Sequence, residues 1–235
     1  MLFEEVMEQL EALGTERTKK TYMRNGAQEP LFGVATGAMK PMAKLIKKNQ
    51  PLAEQLYATN NYDAMYFAGV IAEPNTMTED DYERWIEAAY FYMLSDYVVA
   101  VTLAEAEIGE SLATKWISSD HELKQSAGWS CYCWMLGNRK DERFQKEDIQ
   151  NKLTLVKEMI HTNLPRVQIA MNYFVETVGI SFKPLHSQAL ETAHAIGEVK
   201  VEKHDGKVAV INSFQNIEKQ IEKERIGFKR RYVRC

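Results

Sequence analysis

Apolar residues recur every three to four positions along most of the chain, the spacing of helices with one buried face. Leu2, Val6, Leu10 and Leu13 line one such face, and Gly14 follows where that helix should stop. A second helix is expected over 15–23, then a loop over 26–33 around Pro30. Helical patterning returns over 36–48, with Met39, Met42, Ala43 and Ile46 inward, and Pro51 is placed to open a helix ending near 59–61. The segment 63–72 is apolar almost all round, through Met65, Tyr66, Ala68, Gly69 and Ile71, so it should be central. Thr76-Met77-Thr78-Glu79 offers a Thr cap and an acidic first turn to a helix reaching about 89, and another should cover 94–104. Helices over 110–118 and 121–136 form the next pair, then 146–162 with 165–178, then 184–196. Pro165 and Pro184 both fit near helix starts.

The period then changes from helical to alternating. Glu198 to Glu202 and Val208 to Ile211 flank Asp205-Gly206, a strong hairpin signal over about 198–211. A last helix is expected over 213–225, and the basic tail 227–235 should be poorly ordered. Paired short helices repeating at roughly 35–45 residues point to an all-α solenoid of the HEAT type; an irregular all-α globule is the alternative. No Gly-, Ser- or Pro-rich linker divides the chain, so a single domain over 1–235 is expected.

Composition adds limits. The 235 residues are 45% hydrophobic and 26% charged, enough for a core without disulfides or metal. The net charge of -4 excludes a uniformly basic nucleic-acid binder but not a local basic surface. Residues 218–235 hold seven cations against three carboxylates, a cationic end on an acidic body. Lys40, Lys44, Lys47 and Lys48 share a helix face, and Arg139, Lys140, Arg143 and Lys146 cluster between helices. The acidic, amphipathic opening does not read as a signal peptide, and no apolar run approaches the ~18 residues of a membrane span. With three cysteines as well, a cytoplasmic protein is expected.

Motifs for chemistry are few. There is no Gly-rich phosphate loop, nucleophile elbow or HExxH, and no pair among the five histidines has metal spacing. Cys131 and Cys133 point apart on a helix and read as structural, while Cys235 could be an exposed thiol. No metal and no cofactor are expected. The stretch 85–97 concentrates aromatics around Asp96, four residues after Tyr92. Such a carboxylate could stabilise a cationic, sugar-centred transition state. The alternative, which the residues alone favour, is that Asp96 caps a helix near Leu94 with the aromatics as core.

Taken together, several stretches resemble the DNA alkylation repair family, the HEAT-like-repeat glycosylases. They are Asn61 to Ala72, Leu94-Ser95-Asp96, the Gly197 to Val201 hairpin start found in a longer bacterial branch, and Gly227-Phe228-Lys229-Arg230-Arg231. The resemblance implies a concave helical face holding duplex DNA without sequence preference. It also implies a monomer that releases cationic N3- or N7-alkylated purines without metal. Asp96 falls on the family's catalytic aspartate, Tyr92 where the glycosylases carry tryptophan, and Tyr22 on a DNA-facing tyrosine. Gln125 falls near the family's arginine, with Lys124 as a neighbouring substitute, and Tyr173 near its second tryptophan. Lys229, Arg230 and Arg231 would bind phosphates. Losing the arginine should weaken substrate positioning. Two alternatives follow: a catalytically weak member recognising distorted or branched DNA, or a HEAT-type protein-interaction scaffold.

Overall fold

The computed structural model describes residues 1–203 and 206–231. The chain forms two compact units, Met1–Ile108 and Gly109–Cys235, with no linker-like composition at their boundary. Both are helical, apart from one hairpin in the second.

The first unit comprises α1 (Phe3–Leu13), α2 (Glu16–Arg24), α3 (Lys40–Ile46), α4 (Gln50–Tyr57), α5 (Tyr62–Ile71), α6 (Glu79–Ala88), α7 (Tyr92–Leu94) and α8 (Ala100–Glu105). Val6 and Leu10 bury the inner face of α1, but Leu2 and Leu13 at its ends are exposed. The stretch 36–48, read as one helix, divides into a 3-10 turn (Thr36–Met39) and α3. Thr78 caps α6 in a reciprocal box with Asp81, as the Thr cap and acidic turn predict. Asn61 caps α5, whose residues are buried on nearly every side. Between α7 and α8 the helix widens into a π turn, Ser95–Val99.

One carboxylate ties this unit together. Asp63, in the first turn of α5, is fully buried. It accepts the main-chain N–H groups of Phe32 at 2.6 Å, Gly33 at 2.9 Å and Val34 at 2.8 Å. Burial pushes its carboxyl up, and those three donors pull it back down. The strand-like 31–34 segment in turn holds α1 and α2: Thr15 N–H donates to Gly33 O at 3.0 Å, and Tyr22 Oη donates to Val34 O at 2.8 Å. Gly33 has φ +81°, and a Cβ there would meet Thr15 O at 2.6 Å, so only glycine suits it.

The second unit comprises α9 (Gly109–Ile117), α10 (Glu122–Leu136), α11 (Lys146–Met159), α12 (Pro165–Ser181), α13 (His186–Ile196), β1 (Val199–Glu202), β2 (Val208–Ile211) and α14 (Ser213–Ile221). α10 packs between α9 and α12, and α12 also carries α13, α14 and β1. A Cβ on Gly128 would lie 2.8 Å from both Ala113 O and Ile117 N, which shows how closely α10 meets α9. Buried Lys152 donates to both oxygens of Asp148, at 2.6 and 2.8 Å, and sits 4.4 Å from the Tyr132 ring centre. The expected hairpin forms with Val199 opposite Ile211 and Glu202 opposite Val208; Val199 and Val201 are buried. Asp205, predicted in its turn, lies outside the described residues.

Two expectations for the C-terminus are corrected. α14 ends at Ile221, not 225, because Glu224 takes φ +54° and Arg225 N–H returns to Gln220 O at 2.9 Å, closing the helix. The tail, expected to be poorly ordered, docks along 227–230. Gly227 N–H donates to Ile180 O at 2.6 Å, and Arg230 N–H to Gly137 O at 2.7 Å. Lys229 Nζ donates to Leu136 O at 2.7 Å and makes an ionic contact with Asp141 Oδ1 at 2.7 Å. The rest of the predicted tail, including Cys235, lies outside the described residues.

Asp63→Ala should lower folding stability by about 3 kcal/mol or more, since three N–H groups lose their acceptor. Urea unfolding would show this as a lower midpoint, and an unchanged midpoint would refute the anchoring role. Lys229→Ala should cost about 1–2 kcal/mol and speed tryptic clipping after Arg225, because the tail loses its charge-assisted clamp.

Candidate nucleic-acid interface

The candidate residues of the first unit share one aromatic cluster. Tyr22 meets Tyr62 edge-on at 4.9 Å between ring centres. Tyr62 meets Phe91 at 5.1 Å, Phe91 meets Tyr92 at 5.9 Å, and Tyr92 meets Tyr97 at 6.2 Å. Edge-to-face contacts of this kind fix ring positions while burying large areas. Tyr22 is half-buried and its hydroxyl is spent on Val34 O. Burial, then the nearby Asp63 charge, pushes that phenol up to about 12, so it stays protonated at neutral pH.

Asp96 precedes Tyr97 of this cluster in the chain and lies inside the π turn. It does not cap a helix, because the helix runs through it from α7 into α8. The carboxylate is 1% exposed and accepts the Ser95 hydroxyl at 2.8 Å. Leu94, Val98 and Val99 around it are buried as well. A π turn bonds i to i+5 and so shifts the angular register of the side chains that follow it, and such turns are frequent at functional sites.

In the second unit, the Gln125 amide donates to Ile117 O at 3.0 Å, bridging the α9–α10 connection. Gln125 also lines a cavity of about 460 Å³ with Trp129, Leu155, Met159 and Met171. Lys124 is half-buried, and its main-chain N–H donates to the capping His121 Nδ1 at 3.4 Å. Tyr173 is 45% exposed on α12, between buried Asn172 and Phe174. Lys229 holds the tail in place; the Arg230 guanidinium lies 5.1 Å from the Trp134 ring centre, and Arg231 is exposed. Burial pushes the Cys131 thiol up. Among the described residues, no three His, Cys, Asp or Glu side chains gather to hold a metal, and no helix is long and apolar enough to cross a membrane.

Periodicity missed Asp63, because its partners lie 29 to 31 residues earlier in the chain. It also passed over the cations of α2, although Arg17, Lys20 and Arg24 carry the i, i+3, i+7 spacing that would have revealed them.

Residues 6–205 match the family model described as DNA alkylation repair enzyme. An uncharacterised protein of Listeria monocytogenes is 28% identical over 222 residues, covering 92% of this chain and 96% of that one. An uncharacterised protein of Listeria innocua is 28% identical over 223 residues, with the same coverage. A solved structure superposes with a TM-score of 0.97 at 59% identity over 100% of both chains. It is described as a new family of proteins related to the HEAT-like repeat DNA glycosylases with affinity for branched DNA structures. The paired helices thus form a HEAT-like repeat fold, and with the family model matching from residue 6 to residue 205 the chain belongs to the DNA alkylation repair enzyme family.

Proposed function

We propose that this protein binds branched DNA and does not release bases from it. The observation that carries this reading is the burial of Asp96, at 1% exposure with Ser95 on one oxygen. Stabilising an oxocarbenium-like sugar requires a carboxylate facing the substrate, with its charge aimed at the reacting carbon. A sealed carboxylate instead serves the packing of α7 and α8. Gln125, where the resemblance expects arginine, has its amide committed to Ile117 O and carries no charge for a phosphate. The affinity for branched DNA described for the 59% identical structure supports the choice of ligand.

Base excision is the second reading, favoured by the family match and by a retained aspartate beside an aromatic cluster. It requires the π turn to open toward substrate.

One set of assays separates the two. The wild-type protein should retard three- and four-way junctions at about tenfold lower concentration than linear duplex, a difference of about 1.4 kcal/mol. Log affinity should fall with log salt at about 0.9 per phosphate contacted. Release of 7-methylguanine from methylated duplex should stay at background for the wild type and for Gln125→Arg. Asp96→Asn should leave junction affinity unchanged. Base release that Asp96→Asn abolishes would replace this reading with excision, and equal affinity for junction and duplex would remove branch recognition.

A further inference from the structure

The side chains of α2 divide into two faces. Thr18, Lys19 and Tyr22 are half-buried. Tyr22 belongs to the aromatic cluster, and Lys19 Nζ pairs with Glu29 at 2.7 Å. Arg17, Lys20, Thr21 and Arg24 occupy the opposite face, at i, i+3, i+4 and i+7, and all four are exposed. Met23 beside them is exposed as well, so the whole face is open to solvent. Among the described residues no carboxylate pairs with Arg17, Lys20 or Arg24; the Arg24 guanidinium only approaches Thr21 Oγ1 at 3.5 Å.

The surrounding chain amplifies this charge. Residues 17–53 hold eight cations and a single carboxylate, Glu29, already paired with Lys19, in a protein whose net charge is -4. Helix stability accounts for part of the stripe only. Arg24 lies in the last turn, where the helix dipole favours a cation, and Lys20 follows Glu16 by four residues; Arg17 lies in the first turn, where the dipole disfavours a cation, and like charges three residues apart repel. Guanidinium groups in a row suit phosphate oxygens, which they can grip bidentately.

We propose that Arg17, Lys20 and Arg24 grip the phosphates of one arm of a branched DNA, on the face of α2 turned away from Tyr22. The assignment rests on the branched-DNA reading above and adds where an arm is held. A branch directs duplex arms along different axes. A protein that prefers a branch over one straight duplex therefore needs phosphate contacts that a single duplex does not reach together. Contacts of this kind position DNA without reading bases.

The test is the triple variant Arg17→Gln/Lys20→Gln/Arg24→Gln, titrated against a four-way junction and a linear duplex between about 50 and 200 mM salt. Junction affinity should drop at least about tenfold, with a salt slope shallower by two to three contacts at about 0.9 each. Duplex affinity should stay within about threefold of wild type, and Arg17→Lys/Arg24→Lys should keep the wild-type salt slope while losing part of the junction affinity, since charge is retained and the bidentate grip is not. An unchanged melting temperature verifies folding; if the triple variant melts early, Lys20→Gln alone should flatten the slope by about one contact. A variant that keeps wild-type junction affinity and slope overturns the proposal, as does an equal loss on junction and duplex. Wild-type protein without junction preference overturns the branched-DNA reading itself, a result visible before any variant is made.

Discussion

The first unit is organised around a charge removed from water. Asp63 sits where an ionised carboxylate is costly, and it is tolerated because three consecutive main-chain N–H groups converge on it. The benefit runs both ways. The 31–34 segment is extended and, among the described residues, has no strand partner beyond the bridge of Val34 to Gly14, so its N–H groups need another acceptor. Through that segment the carboxylate fixes Tyr22, and through Tyr22 the edge of the aromatic cluster. Position and rigidity at the candidate surface thus trace back to one side chain that never meets solvent.

Much of the aromatic cluster, and the Asp96 carboxylate beside it in the chain, lie inside the first unit. Rings that would hold a cationic base must offer a face. Here Phe91 is buried and Tyr62 is enclosed by Tyr22, Tyr66 and Phe91, while Tyr92 is half-buried and Tyr97 is exposed. The polar ends are engaged too: the Tyr22 hydroxyl on Val34 O, the Asp96 carboxylate on Ser95. Positive charge, by contrast, is left outward on α2, where it can meet a polyanion without any internal rearrangement.

Much of the helical scaffold was legible because its signals are local. Thr78 with Asp81, Pro51 in the first turn of α4 and the all-round apolar α5 each declare themselves within a few residues. The hairpin was legible for the same reason, as two alternating runs of four residues. What escaped depends on distant partners. Lys229 reads as a solvated cation until Leu136 and Asp141, about ninety residues earlier, are brought beside it. Asp63 reads as an ordinary first-turn acid until the 31–34 segment is placed above it. Asp96 was misread locally as a cap because Leu94-Ser95-Asp96 looks like a helix start, whereas the helix had already begun at Tyr92. The glycine at position 33 was assigned to a loop, but its close approach to Thr15 could not be read from the loop itself.

The π turn at Ser95–Val99 bears on how residue roles pass from one protein to another. A wide turn is equivalent to one residue inserted into an α-helix, so side chains before and after it belong to two different angular registers. Tyr92 and Val101, read on a helical wheel as one continuous helix, would be assigned faces that they do not occupy. Any comparison with a chain whose equivalent helix is regular needs one gap inside 95–99, and on which side of Asp96 that gap falls decides which residue the aspartate is matched to.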